Sequence, residues 1–332
     1  MCSPEKGNPC STVNLAEEVE TGVVGLTGLS CRLDRYGLAR ERALLNLSQV
    51  RQRSKGGLDS YSQHLDRVQA RLSMCGNYLG FKHYYTVDKL RLTSARFCKA
   101  HLLCPLCAIR RGSKMVETLV QRYNIITAEN AGLKMSMITF TVKNGDDLKE
   151  RYEHLKKSIQ ALQLRRRVFL STGRGYTEFS KVLGLVGTYE VTKDGAKDGS
   201  KSGWHPHVHM MVLHRERINA AALKREWKAI TGDSHVLRID PARHPNDPGQ
   251  DFLEVCKYAL KFGDLTPEQN LEAYEVLHGK RLIISAGLFW GLEIPEELTD
   301  EPLDELPYFE LLYKYIAGSG YNLTTRDKLH DS

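Results

Sequence analysis

A chain of 332 residues, 41% of them hydrophobic and 26% charged, can bury a substantial core and holds one to two domains. Its 47 lysines and arginines against 40 aspartates and glutamates leave a formal charge of +7, which favours a polyanionic partner without proving one, since many soluble proteins are this basic and bind no nucleic acid. No apolar run approaches bilayer-spanning length, which excludes a transmembrane helix and predicts no membrane partner, and eight cysteines without a signal peptide point to a reducing cytoplasm.

Residues 1–71 are polar and charged, with one helical candidate over 37–53 and no visible chemistry. Next comes Cys98-x5-Cys104-x2-Cys107, with Cys75 and His101 as further ligands. The Cys104-Pro105-Leu106-Cys107 knuckle, together with Cys75 and Cys98, offers Zn²⁺ the four sulfurs of a tetrahedral structural site. Buried, redox-inert cysteine is the plainer alternative. At the tail of this cluster Arg110, Arg111 and Lys114 are expected to present charge to DNA phosphates, with further basic groups over 82–99, 165–167 and 224–228. Cys2, Cys10, Cys31 and Cys256 read as free thiols.

Beyond the cysteines the elements alternate. Residues 135–142 form a strand, and Leu148, Tyr152, Leu155, Ile159 and Leu162 recur at the spacing of a long basic amphipathic helix. A strand over 183–192 carries Glu190. The Gly/Lys/Ser-rich loop that follows contains GAKDGSKS (195–202), which lacks the Walker spacing and sits in a hairpin-like connection, so no motor domain is expected. The histidine strand over 204–212 comes next, then a helix over 217–230, a strand over 234–239 and a helix over 251–262 opened by Asn246-Asp247-Pro248-Gly249. Residues 267–277 form a capped helix, 281–290 is an apolar segment available to complete the core, and 294–304 is acidic, which argues against its touching DNA. The succession predicts an α+β fold: an antiparallel sheet with helices on one face, preceded by a small zinc-binding module.

Two segments carry chemistry. Alternation along a strand puts His205, His207 and His209 on one face, where imidazoles suit a divalent metal; the bland alternative is the wet face of a half-buried strand. On the later helix Glu254, Tyr258 and Lys261 stand at i, i+4 and i+7, one face again, with ordinary solvent pairing as the alternative.

The order GTYEVTK (187–193), HPHVHMMV (205–212), EVCKYALKF (254–262) resembles the rolling-circle replication initiators of small bacterial plasmids, within the HUH endonuclease superfamily. The resemblance covers about residues 74–262, and TFTVKN (139–144) stands where that family has its first motif. One tyrosine downstream of the histidines, with a glutamate four residues before it, is similar to the one-tyrosine plasmid initiators. Conjugative relaxases place the tyrosine before the histidines, and the phage type has two.

The resemblance implies an RRM-like fold for residues 115–264, flanked by an N-terminal region over 1–70, the cysteine module over 71–114 and a C-terminal region over 265–332 that completes the core or aids origin binding. It implies Tyr258 as nucleophile, leaving a 5′-phosphotyrosine and a free 3′-hydroxyl. Lys261 would offset developing charge, and Glu254 would activate water at termination. His207 and His209, with Glu190 as third ligand and His205 competing for that place, would hold Mn²⁺ or Mg²⁺. The implied partners are plasmid origin DNA at a single-stranded or cruciform nick site, a host helicase and a DNA polymerase in a bacterial cytoplasm, and a homodimer is one assembly it allows. A non-enzymatic zinc-ribbon DNA-binding regulator is the alternative; it explains the cysteines and leaves the histidine, Glu254, Tyr258 and Lys261 set as coincidence.

Overall fold

The computed structural model describes residues 26–55, 57, 59–194, 203–234, 236–244, 246–256, 265–303 and 306–329. They divide into two compact units, Met115–Ile294 and a second made of Met1–Lys114 with Pro295–Ser332. No described helix is long and apolar enough to cross a membrane.

The Met115–Ile294 unit is built on a five-stranded antiparallel sheet. Its strands are β3 (Lys134–Thr141), β4 (Gly184–Asp194), β5 (Gly203–His214), β6 (Leu237–Pro241) and β7 (Ile283–Gly287), in the order β6-β3-β5-β4-β7. The central strand β5 is buried on both faces along most of its length, which explains why Val208, Met210, Met211, Val212 and Leu213 read as one apolar run rather than an alternation.

On one face lie α4 (Leu148–Thr172) and α5 (Ala220–Thr231). The predicted stripe Leu148, Tyr152, Leu155, Ile159 and Leu162 is the buried side of α4, which Asp147 caps at its N-terminus and Gly173, in the left-handed region at φ 69°, ends. Asn219 caps α5, whose Trp227 packs against Phe140 of β3 at 4.8 Å between ring centroids and donates from Nε1 to the Thr141 carbonyl at 2.8 Å. Burying the indole would be costly without that acceptor. A third helix departs from the expected one-sided packing. α6 (Pro248–Cys256) docks on the opposite face, where the Thr188 hydroxyl of β4 donates to the Val255 carbonyl. α7 (Pro267–Leu277) carries a full capping box between Thr266 and Gln269. The apolar segment over 281–290 supplies β7, which pairs with β4, so this unit runs on to Ile294 rather than stopping at 264.

The other unit holds α1 (Leu26–Ser54), α2 (Ser60–Met74), the start of α3 (Pro105–Glu129) and a four-stranded antiparallel sheet. Its strands are β1 (Tyr78–Tyr84), β2 (Lys89–Ala95), β8 (Tyr308–Ile316) and β9 (Gly320–Leu329), in the order β2-β1-β8-β9. None of these four strands follows from the sequence reading. The cysteine segment is therefore embedded in a larger unit that draws on the chain both before and after Met115–Ile294, because β8 pairs with β1 across more than two hundred residues of sequence.

Two expectations are corrected here. Arg110 does not face solvent: it is buried, with Nη2 on Asp300 Oδ1 at 2.5 Å and Nε on the Leu298 carbonyl at 2.8 Å. Arg32 meets the same carboxylate at 3.2 Å. Burial opposes charge on Asp300, but Arg110 and Arg32 hold its carboxyl at about 2. Removing one partner of such a buried network costs about 3–5 kcal/mol, since the others remain charged and desolvated. Cys31 is disulfide-bonded rather than a free thiol, and Cys2 and Cys10 lie outside the described residues.

Candidate active site and metal centres

Register assembles the first centre. β4 and β5 pair with Glu190 directly opposite His207 and Thr188 opposite His209, so the carboxylate and both imidazoles share one face of the sheet. Their nearest ligand atoms lie within 4.8 Å of one another. His207 Nε2 is 3.0 Å and His209 Nε2 3.5 Å from Glu190 Oε2. The Glu190 side chain is completely buried, and those of His207 and His209 are 7% and 14% exposed.

The second ring nitrogens decide what this cluster can do. His207 Nδ1 lies 3.2 Å from the His205 carbonyl. A carbonyl only accepts, so Nδ1 carries a proton, and Nε2 is left facing a carboxylate oxygen, where it can donate or, with an ion between them, offer its lone pair. The Thr139 hydroxyl of β3 stands 3.0 Å from His209 Nδ1 and can orient that ring in the same way. Three groups able to donate electron pairs thus converge in a largely buried site most open at His209, an arrangement that needs a cation or a proton among them. Two imidazoles and a carboxylate are a donor set that a divalent metal can take, and outer partners such as Thr139 and the His205 carbonyl hold such rings in place.

His205 shares the face but not the cluster. It stands opposite Thr192, stacks on His207 at 5.2 Å and places Nδ1 2.5 Å from Asn144 Oδ1. The structure brings Glu190, His207 and His209 together and turns His205 toward the segment after β3. Neither Thr139 nor Asn144 was singled out as a ligand-orienting residue, although both lie in the TFTVKN segment.

Glu254 is half-buried on α6. Tyr258 and Lys261 lie outside the described residues. The end of α6 is nevertheless located: Thr188, which anchors the Val255 carbonyl, is the strand neighbour of both His209 and Glu190 on their shared face. Burial pushes the Cys256 thiol up, and the nearby Glu190 charge pushes it further. Asp251 receives the backbone N–H groups of Arg243 and His244 at 3.0 and 3.1 Å, tying the loop before α6 to its first turn.

The second centre belongs to the other unit. Cys75 follows α2, Cys98 follows β2, and Cys104 and Cys107 straddle the start of α3. All four are buried and their sulfurs lie within 4.8 Å of one another. The closest approaches are Cys75–Cys107 and Cys98–Cys107 at 3.5 Å and Cys75–Cys104 at 3.6 Å. Disulfides would bring sulfurs to about 2.05 Å, whereas four sulfurs tetrahedrally placed about 2.3 Å from a zinc ion stand about 3.8 Å apart. The spacing fits zinc. Hydrogen bonds from Cys104, Cys107 and Cys98 push the Cys75 thiol down, so a thiolate, the form that binds metal, is favoured there. Around the cluster Arg40 donates to the Leu72 and Ser73 carbonyls at 2.8 and 2.7 Å, and the Tyr321 hydroxyl of β9 donates to the Gly76 carbonyl at 2.6 Å. These contacts clamp the segment bearing Cys75. His101 lies outside the sulfur cluster.

Residues 89–308 match the replication protein family. A protein named "Protein rep" from a Bacillus species is 30% identical over 284 residues, which cover 74% of this chain and 84% of that protein. A second "Protein rep", from Staphylococcus aureus, is 23% identical over 200 residues, 57% of this chain and 80% of that one. No solved structure matches the chain.

Proposed function

The chain belongs to the replication protein family, and from that premise we propose that it is a plasmid rolling-circle initiator that nicks single-stranded origin DNA with Tyr258. The observation that carries this reading is the convergence of Glu190, His207 and His209 on the sheet face where Thr188 holds Val255 of α6. A non-enzymatic DNA-binding regulator would need neither a buried three-donor cluster nor a helix directed at it.

In this mechanism Glu190, His207 and His209 hold a divalent ion, Mn²⁺ or Mg²⁺, while Thr139 and the His205 carbonyl fix the ring orientations. When bound, the ion supplies Lewis acidity at a phosphate oxygen. The Tyr258 oxygen attacks phosphorus, the bond to the 3′ oxygen breaks, and that oxygen leaves as a hydroxyl once protonated, with the 5′-phosphate on tyrosine. An unperturbed phenol titrates near 10, so Tyr258 needs help to act near neutrality, and Lys261 offsets the charge that develops. Because one phosphodiester is exchanged for another, no nucleoside triphosphate is consumed. The 3′-hydroxyl primes a DNA polymerase, and a host helicase opens the duplex ahead of it. Glu254 acts as general base for the water of the second, terminating cleavage, so that this cleavage is hydrolytic and leaves no protein attached, while the new 3′-hydroxyl displaces Tyr258 from the first adduct and rejoins the strand. The four cysteines hold Zn²⁺ that stabilises the other unit.

The test begins with supercoiled plasmid carrying the gene, incubated with protein and Mn²⁺, on which the nick is mapped. A labelled single-stranded oligonucleotide across that nick should then migrate with the protein on a denaturing gel. Binding without nick or adduct overturns the proposal.

A further inference from the structure

A cation stands in line with the metal-ligand cluster on the same face of the sheet. β6 pairs with β3 so that Arg238 is opposite Thr139, and β3 pairs with β5 so that Thr139 is opposite His209. Cross-strand partners project to the same side, so Arg238, Thr139 and His209 form one row across the sheet, and that row continues to Thr188. Strands lie about 4.8 Å apart, which places the Arg238 backbone about 10 Å from that of His209. α6 meets this face at Thr188, on the far side of His209 from Arg238. α6 begins beside the segment after β6, where Asp251 receives the Arg243 and His244 N–H groups, and Arg238 nonetheless stays open to solvent.

Arg238 is also held ready. Its side chain is 68% exposed, yet Nε is fixed on Asp240, 2.9 Å from Oδ1 and 2.8 Å from Oδ2. Asp240 follows at i+2 on the same strand face and is itself only 19% exposed. Among the described residues nothing takes the two Nη nitrogens, which present the fork geometry that matches two oxygens of a phosphate. On a solvated edge strand far from any ligand, such a pair would contribute little. Here it lies in the row of the metal-ligand cluster.

We propose that Arg238, oriented by Asp240, is a phosphate subsite for the single-stranded DNA, holding a backbone phosphate one or two nucleotides from the scissile one. The inference rests on the nicking function proposed above and adds the path of the strand, which runs across the sheet from the β6 edge toward α6. Arg238 is a positioning residue: it grips the backbone, not the reacting atoms. The contact carries no sequence information, so its loss weakens binding to any single strand.

The experiment measures binding of wild type, Arg238→Gln and Arg238→Lys to a fluorescent single-stranded oligothymidylate across a salt series, with EDTA present. Each phosphate contact on a single strand contributes about 0.7 to the slope of log K against log salt. Arg238→Gln should lower the slope by about 0.7 and weaken binding about five- to tenfold at low salt, while Arg238→Lys should restore most of the slope but not all of the affinity. In a second arm, methylphosphonates replace single phosphates along the nick-spanning oligonucleotide. One position beside the nick should weaken wild type and leave Arg238→Gln unaffected. Equal slopes in wild type and Arg238→Gln, or no oligothymidylate binding by wild type, overturn the subsite. Failure of wild type to nick its plasmid overturns the nicking function instead, and the salt slopes still decide whether Arg238 grips the strand.

Discussion

The two donor clusters make a comparison within one chain. Cys75, Cys98, Cys104 and Cys107 are four soft ligands, all buried, with sulfurs at tetrahedral spacing and backbone clamped by Arg40 and Tyr321. Glu190, His207 and His209 are three harder ligands, with His209 partly exposed and the end of a helix beside them. A closed four-ligand site has no position left for substrate, so it can only hold structure together. Three ligands with an accessible side leave positions for a phosphate oxygen and water. On the proposed reading ligand count and access give the two clusters different work, and each half of that reading can be broken separately.

The largest effect should separate them most cleanly. His207→Ala or His209→Ala should abolish metal-dependent cleavage, a loss of at least about a thousandfold if Lewis acidity supplies several kcal/mol, while the zinc content of the chain stays that of wild type. Cleavage that persists in EDTA would remove the metal from the account. Cys104→Ser or Cys107→Ser should do the reverse. Structural zinc contributes folding free energy directly, so elemental analysis of wild type should find one zinc per chain. The variants should lose it and unfold at lower temperature or fail to accumulate, whereas zinc-free wild-type protein that unfolds like the metal-loaded form would contradict the structural role.

A smaller effect sharpens the account of the open site. Thr139→Val keeps the shape of the side chain but removes the oxygen on His209 Nδ1, and loss of such an outer partner costs about 10- to 100-fold in metal affinity or activity. Titration of cleavage with Mn²⁺ should shift by that factor, and an unchanged midpoint would make Thr139 a bystander. Smaller still, Glu254→Ala should nick normally and release DNA slowly, so that the covalent species accumulates. Time courses of adduct formation and decay decide the matter: unchanged release refutes the termination role, and loss of the first nick would make Glu254 an orienting residue instead.

Legibility in the sequence follows the range of the interactions. The α4 stripe and the Thr266–Gln269 capping box are local patterns, and the structure displays both. Glu190 beside His207 needs only a hairpin pairing between neighbouring strands, which an antiparallel reading supplies. β1–β2 and β8–β9 are local hairpins, but the sheet that buries them forms only when β8 pairs with β1 across the chain, and β9, exposed from Asn322 to Asp327, has no alternation to reveal it. Arg110 shows the cost of reading charge without tertiary context. A basic run after the cysteines suggests a DNA contact, but Asp300, 190 positions later, draws that guanidinium inside. Asp300 lies in the acidic segment over 294–304, so part of that acidity answers buried arginines and does not describe a surface.

The central claim is that Tyr258 attacks DNA at the open cluster. Its direct measurement is the covalent adduct: the nick-spanning single-stranded oligonucleotide, labelled 3′ of the nick, incubated with Mn²⁺ and wild type or Tyr258→Phe, digested with protease and analysed by mass spectrometry. Wild type should yield a peptide containing residue 258 linked through its phenolic oxygen to a 5′-phosphate, and Tyr258→Phe should yield no adduct while still binding the oligonucleotide. An adduct on another residue, or cleavage of wild-type strength by Tyr258→Phe, would contradict the account.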